Sequence, residues 1–145
     1  VVRATAALAA LALAACAPSS SADHRIVARA EAICVKAQER AQRLRLPIGG
    51  DHGFVKELET LIDDAAREYA AVEPPARNTV AYGHFVAALE RQAELLRRWD
   101  TALRAMDRAA VERLSAALRA NTVDIEAHGR SLKLCVRPII QPTGG

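Results

Sequence analysis

Aromatic side chains are scarce in this sequence: one Trp, two Tyr and two Phe make up 3% of its residues. The core must therefore be built from Leu, Val, Ile and Ala, so helices can approach closely while each buried side chain contributes little area. No run of alternating β-branched residues occurs, which removes the signal for strands. No apolar stretch reaches the ~20 residues that a membrane-spanning helix requires. Neither sign of charge dominates: 20 basic residues face 17 acidic ones, for a formal net charge of +3, a balance too even for a nucleic-acid partner.

Chemical motifs are also few. The four histidines, His24, His52, His84 and His128, form no H-x-x-x-H or H-E-x-x-H pair that would set two ligands on one helical face. Covalent haem is excluded by the lack of C-x-x-C-H. Axial haem ligation finds no Met early in the chain, because the only methionine is Met106. Gly49-Gly50 lacks the strand and Lys of a phosphate-binding loop, and Ser115 and Ser131 lack the strained turn of a nucleophile elbow. Asp63-Asp64 falls where nothing in the pattern raises a carboxyl pKa. No catalytic or cofactor-binding residue is expected.

What is present begins with residues 1–21. Weakly basic Val1-Val2-Arg3 leads into an Ala/Leu run ending Leu13-Ala14-Ala15-Cys16, followed by Ala17-Pro18 and three serines. The run is too short to cross a bilayer, and small residues precede the cleavage point. Leu-Ala-Ala-Cys resembles the lipobox of bacterial lipoproteins, which implies a signal peptide over 1–15, acylation of Cys16 and a tether over 16–22. The resemblance places the protein on the outer face of a bacterial membrane, with membrane lipid as its first partner.

In an oxidising compartment the two remaining cysteines, Cys34 and Cys135, are expected to bond to each other. Closing so long a loop restricts the unfolded chain by roughly 4–5 kcal/mol in the entropic account.

Apolar residues recur at helical spacing in four segments. The first runs from the N-cap candidate Asp23 to Leu44 through Ile26, Ala30, Ile33, Ala37 and Ala41. The second, Phe54 to Val72, carries Leu58, Leu61, Ile62, Ala65 and Tyr69, and ends at Glu73-Pro74-Pro75. The third starts near Ala76 and carries Tyr82, Phe85, Val86, Leu89, Ala93, Leu96, Trp99, Leu103 and Met106. The fourth is capped by Asp107 and runs through Val111, Leu114, Leu118, Ile125, Leu132 and Cys135 until Pro138 stops it. Short connections make this an all-α, antiparallel up-down-up-down four-helix bundle over residues 23–137, with a disulfide between its first and last helices and a loose tail at 138–145.

With Cys34 level with Cys135, the third and fourth helices would overhang the first two by some sixteen residues, roughly 24 Å. The loop from Leu46 to Gly53 would then fold on that overhang, anchored by Leu46 and Ile48. Basic residues crowd the first helix (Arg25, Arg29, Lys36, Arg40, Arg43 and Arg45 against Glu31 and Glu39) and acidic ones the second (Glu57, Glu59, Asp63, Asp64, Glu68 and Glu73 against Lys56 and Arg67), so these two are expected to pair. The alternative is that the basic face rests on anionic lipid head groups. Arg97-Arg98-Trp99 reads as structural, with Glu94 and Asp100 as partners.

The same register brings His128, one heptad before Cys135, near Asp51 and His52. Together the three would suit a divalent zinc or copper ion. Asn121 is one heptad earlier again, and two polar residues in an apolar stripe are either a site or a pair of satisfied hydrogen-bonding groups.

Glu31-Ala32-Ile33-Cys34, Glu73-Pro74-Pro75, the Asp107 turn and Leu132-Lys133-Leu134-Cys135 resemble a group of small exported or lipid-anchored proteins of high-GC, actinobacterial-type genomes. In those an early A-I-C and a late L-G-L-x-x-C bracket Ala/Leu-rich helices; here Lys133 stands where Gly is usual. The resemblance implies fold, disulfide and location, and no activity. The expected function is a non-enzymatic interaction or small-ligand-binding module with a protein or small molecule as partner. A metal-binding bundle is the alternative.

Overall fold

A computed structural model describes residues 21–44, 52–74 and 76–134. Among these there is no strand. Four helices pack against one another: α1 (Ser21–Arg43), α2 (His52–Ala70), α3 (Thr79–Arg104) and α4 (Arg108–Ser131), with one 3-10 turn, Ala76–Asn78, leading into α3. Residues 1–20, the loop with Leu46 and Ile48, Asp51, Cys135 and the 138–145 tail lie outside the described residues.

The buried faces follow the expected stripes most closely in α2, where Leu58, Leu61, Ile62, Ala65 and Tyr69 are all buried, as is Val72 just beyond its end. One core cluster joins Ala30 and Ile33 of α1 to Ala66, Tyr69, Val72, Tyr82, Phe85 and Leu89. Ile26, Ile125, Leu132 and Leu134 pack on it. The other unites Leu58, Leu61, Ile62, Ala93 and Leu96, with Ala37, Ala41, Leu44, Phe54 and Leu118 at its edge.

Side-chain contacts set the register of neighbouring helices. Lys36 meets Glu68 and Arg40 meets Asp64 between α1 and α2. Tyr82 meets Tyr69 and Arg97 meets Glu59 between α2 and α3. Ala88 and Gln92 meet Asn121, and Trp99 meets Ser115, between α3 and α4. In each set, rising residue numbers on one helix meet falling numbers on the next.

This register corrects the expected overhang. Beyond the Arg97–Glu59 contact α2 continues to His52 and α3 to Arg104, so those helices end level with each other. Beyond Arg40–Asp64, α1 stops at Arg43 while α2 continues to His52, a difference of roughly 13 Å at ~1.5 Å per residue. Only α1 is short.

Helix α4 ends at Ser131, well before Pro138. Lys133 takes a positive φ of 55°, its N–H donates to Arg130 O and the Leu134 N–H to Gly129 O at 2.9 Å, closing a Schellman motif that turns the chain off the helix axis. Met106, at φ 54°, ends α3 in the same way. That is why Met106, expected on the core stripe, is 89% exposed. Asp107 then caps α4, its carboxylate accepting from Ala110 N at 3.0 Å.

A left-handed backbone costs a non-glycine residue ~1–2 kcal/mol, part of which the greater freedom of an unfolded glycine offsets. Lys133→Gly is therefore expected to stabilise the fold by ~0.5–1 kcal/mol, read as a higher midpoint in chemical denaturation. An unchanged or lower midpoint would contradict the strained turn.

Candidate functional site

Among the described residues, nothing from α1 covers the upper part of α2 on that side, because α1 ends at Arg43. An open depression of about 330 Å³ results, lined by Arg40, Arg43, Leu44, Lys56, Glu57, Thr60 and Leu61. Half-buried Leu44 is its apolar wall with Leu61 buried beneath, and its rim carries the cations Arg40, Arg43 and Lys56 and the exposed carboxylate of Glu57.

These cations are not equivalent. Arg40 donates to Asp64 at 2.9 Å and Lys56 to Glu59 at 2.8 Å, so both already have carboxylate partners. Arg43 is exposed in the last turn of α1. The Thr60 hydroxyl donates to Lys56 O at 2.8 Å, leaving its lone pairs outward. Glu59 is 7% exposed and also accepts from Arg97 of α3 at 3.1 Å. The hydrogen bond from Lys56, ahead of the opposing effect of burial and the further bond from Arg97, holds its carboxyl below the usual carboxylate range.

The residues expected to bind metal do not assemble. His52 opens α2, and the seventeen residues from there to Tyr69, ~25 Å of helix, separate its backbone from the level of Phe85 and the neighbouring His84. His128 lies at that far level. Its ring is stacked on His84, with centroids 5.7 Å apart and planes inclined by 18°. Asp51 is outside the described residues. Among the described residues no group of three His, Cys, Asp or Glu side chains converges on one point.

Asn121 resolves to the plainer of its two readings. At 2% exposure it donates to Ala88 O at 2.8 Å and to Gln92 Oε1 at 2.7 Å, so it is a satisfied buried amide tying α4 to α3. Trp99 is likewise engaged, its Nε1 donating to Ser115 Oγ at 3.0 Å. Arg97 pairs with Glu94 as well as Glu59, while Asp100 takes Arg104.

Sequence reasoning missed His84 as the neighbour of His128, and missed the depression. The first could have been found from the antiparallel register once Asn121 is set opposite Ala88 and Gln92. The second needed the length of α1 relative to α2, which spacing alone does not give. The chain matches no family model, no curated protein and no solved structure. No helix among the described residues is long and apolar enough to cross a membrane.

Away from the depression, the α2–α3 turn holds an aromatic clasp. Tyr69 meets Phe85 edge to face at 5.0 Å and Tyr82 at 6.4 Å, and the Tyr82 hydroxyl donates to Tyr69 O at 2.9 Å. Burial raises both phenols, Tyr82 to about 12 against some pull downward from Arg29, and Tyr69 further. The folded values lie above the unfolded ones. The stability conferred is therefore complete below pH ~10 and is lost as the pH rises towards 12, when the unfolded chain ionises first. Since these are the only two tyrosines, ultraviolet titration should show almost no tyrosinate at pH 10 in native protein, whereas in denaturant both tyrosines should titrate with a midpoint at pH ~10. A native tyrosinate signal at pH 10 would mean that the clasp is open.

Proposed function

We propose that the protein is a lipid-anchored, extracytoplasmic helical domain that binds a small anionic amphiphile, without catalysis, in the depression between α1 and α2. The observation that carries this reading is the pairing of the half-buried Leu44, an apolar wall of the depression, with the exposed guanidinium of Arg43. A carboxylate or phosphate head would accept from Arg43 while a short alkyl chain covers Leu44, and the volume lies at the low end of small-ligand sites. The run from Ser21 to Arg43 sets ~33 Å of helix between the tether and this depression. That separation favours a ligand taken from solution over one in the anchoring bilayer.

The up-down-up-down topology is supported by the opposed numbering of contacts between successive helices. Acylation of Cys16 rests on the Leu13-Ala14-Ala15-Cys16 pattern. A Cys34–Cys135 bond is supported on two counts. Cys34 is buried on the inner face of α1. Leu134, adjacent in sequence to Cys135, packs on the cluster that holds Ala30 and Ile33. Kinship with the exported actinobacterial-type group remains part of the same proposal, on the motifs around those cysteines.

Two experiments test these claims. Amide NMR of the full chain, titrated with straight-chain carboxylates and alkyl phosphates of increasing length, should shift Arg43, Leu44, Thr60 and Leu61. Arg43→Glu should weaken binding at least about tenfold, the scale of one hydrogen bond to a charged group. Absent shifts, or an indifferent Arg43→Glu, would end the ligand reading. Separately, protein recovered from the cell envelope should start at a diacylated Cys16 and resist alkylation at Cys34 and Cys135 until reduced. Labelling of both thiols before reduction would remove the disulfide.

A further inference from the structure

We propose that His84 and His128 form a two-histidine clamp, bridging α3 and α4, for an exchangeable divalent cation of the zinc or copper(II) class. The proposal does not depend on the ligand reading above, since the pair lies at the other end of α2 from the depression. It starts from a rigid register. Asn121 bonds both Ala88 O and Gln92, and Gln92 Nε2 lies 3.3 Å from Thr122 Oγ1, so α3 and α4 cannot slide past each other without breaking buried hydrogen bonds. His128 is seven residues beyond Asn121, and His84 is four and eight residues back from Ala88 and Gln92. The lock therefore brings the two imidazoles to one level.

The ring geometry suits one shared ion. With metal–nitrogen bonds of ~2.0–2.1 Å, two imidazoles on a tetrahedral ion have ring centroids roughly 5 Å apart, and a wider angle at the metal brings this to ~6 Å. The observed separation of 5.7 Å falls in that range, so the pair shares an ion once the rings rotate out of the stack and turn one nitrogen each toward a common point. Access is open, with His84 exposed and His128 half-buried. No described group hydrogen-bonds either ring, so their nitrogens stay available as ligands.

Imidazole pairs select borderline cations over the oxygen-seeking magnesium and calcium. With no third protein ligand among the described residues, water completes the shell. The ion is then held in the micromolar range and exchanges, unlike a structural zinc closed by four ligands.

The test is titration of the untagged full chain with copper(II) and with zinc, followed by calorimetry, with electron paramagnetic resonance for copper. One equivalent should bind at micromolar concentration, and the copper spectrum should show coupling to two nitrogens. His84→Ala, an exposed position that leaves the core untouched, should lose at least about tenfold in affinity and one nitrogen coupling; His128→Gln should do the same. His24→Ala and His52→Ala should bind as the parent does. If His84→Ala binds unchanged, or the parent takes up no ion at 100 micromolar metal (about a hundred times the expected midpoint), the contact is a ring stack only and the proposal is overturned.

Discussion

The aromatic clasp at the α2–α3 turn is the constraint from which the rest of the arrangement follows. A chain with five aromatic residues places three of them, Tyr69, Tyr82 and Phe85, in one edge-to-face group, where each adds directional contact to its buried area. Tyr82 Oη donates to Tyr69 O, a last-turn carbonyl of α2 that also accepts from Val72 N at 2.9 Å. Pro74 follows at once, so the helix end, the turn and the start of α3 are fixed together. With that hinge set, Glu59 and Arg97 meet farther up the pair, and α2 and α3 become a platform for α1 on one side and α4 on the other.

The two outer helices are attached by different physics. α1 contributes small side chains, Ala30, Ala37 and Ala41, to the clusters, and is aligned by Lys36 and Arg40 against Glu68 and Asp64. Exposed ion pairs of this kind contribute under ~1 kcal/mol each, so they choose the register of α1 more than they hold it. α4 buries only Asn121 and Gly129 fully, and its register is set by buried hydrogen bonds, which cost ~1–3 kcal/mol when one partner is left unsatisfied. Register is therefore firmer on the side that carries the histidine pair.

Much of this was legible in the sequence and some was not, for identifiable reasons. Four helices, the stripe of α2, the Pro-Pro break and the Asp107 cap follow from local patterns: apolar periodicity, a proline that cannot donate, a carboxylate three residues before an orphan N–H. The ends of α3 and α4 did not follow, because Met106 and Lys133 take a backbone conformation that their side chains disfavour. A glycine at the position of Lys133 would have announced that turn. Helix heights were misjudged for a related reason. Levelling Cys34 with Cys135 assumed that the chain stays on the axis of α4, whereas the reversal at Lys133 takes it off that axis just before Cys135. His84 escaped notice because a pair on separate helices has no spacing signature in one dimension.

The same reversal bears on why α4 stays docked although its apolar side chains are mostly half-buried. Leu132 and Leu134 flank the left-handed residue and both return to the cluster built around Tyr69 and Phe85, beside Ile26 and Ala30 of α1. A hydrophobic contact across a Schellman turn is the usual companion of that motif, and here it doubles as tertiary packing. The strain at Lys133 is thus offset by partly burying two leucines against the cluster to which Ala30 and Ile33 of α1 also belong. A covalent link one residue further on would act on a segment already held there. Its effect would fall mainly on the unfolded chain, whose freedom a long closed loop restricts, and little on the geometry of the folded one.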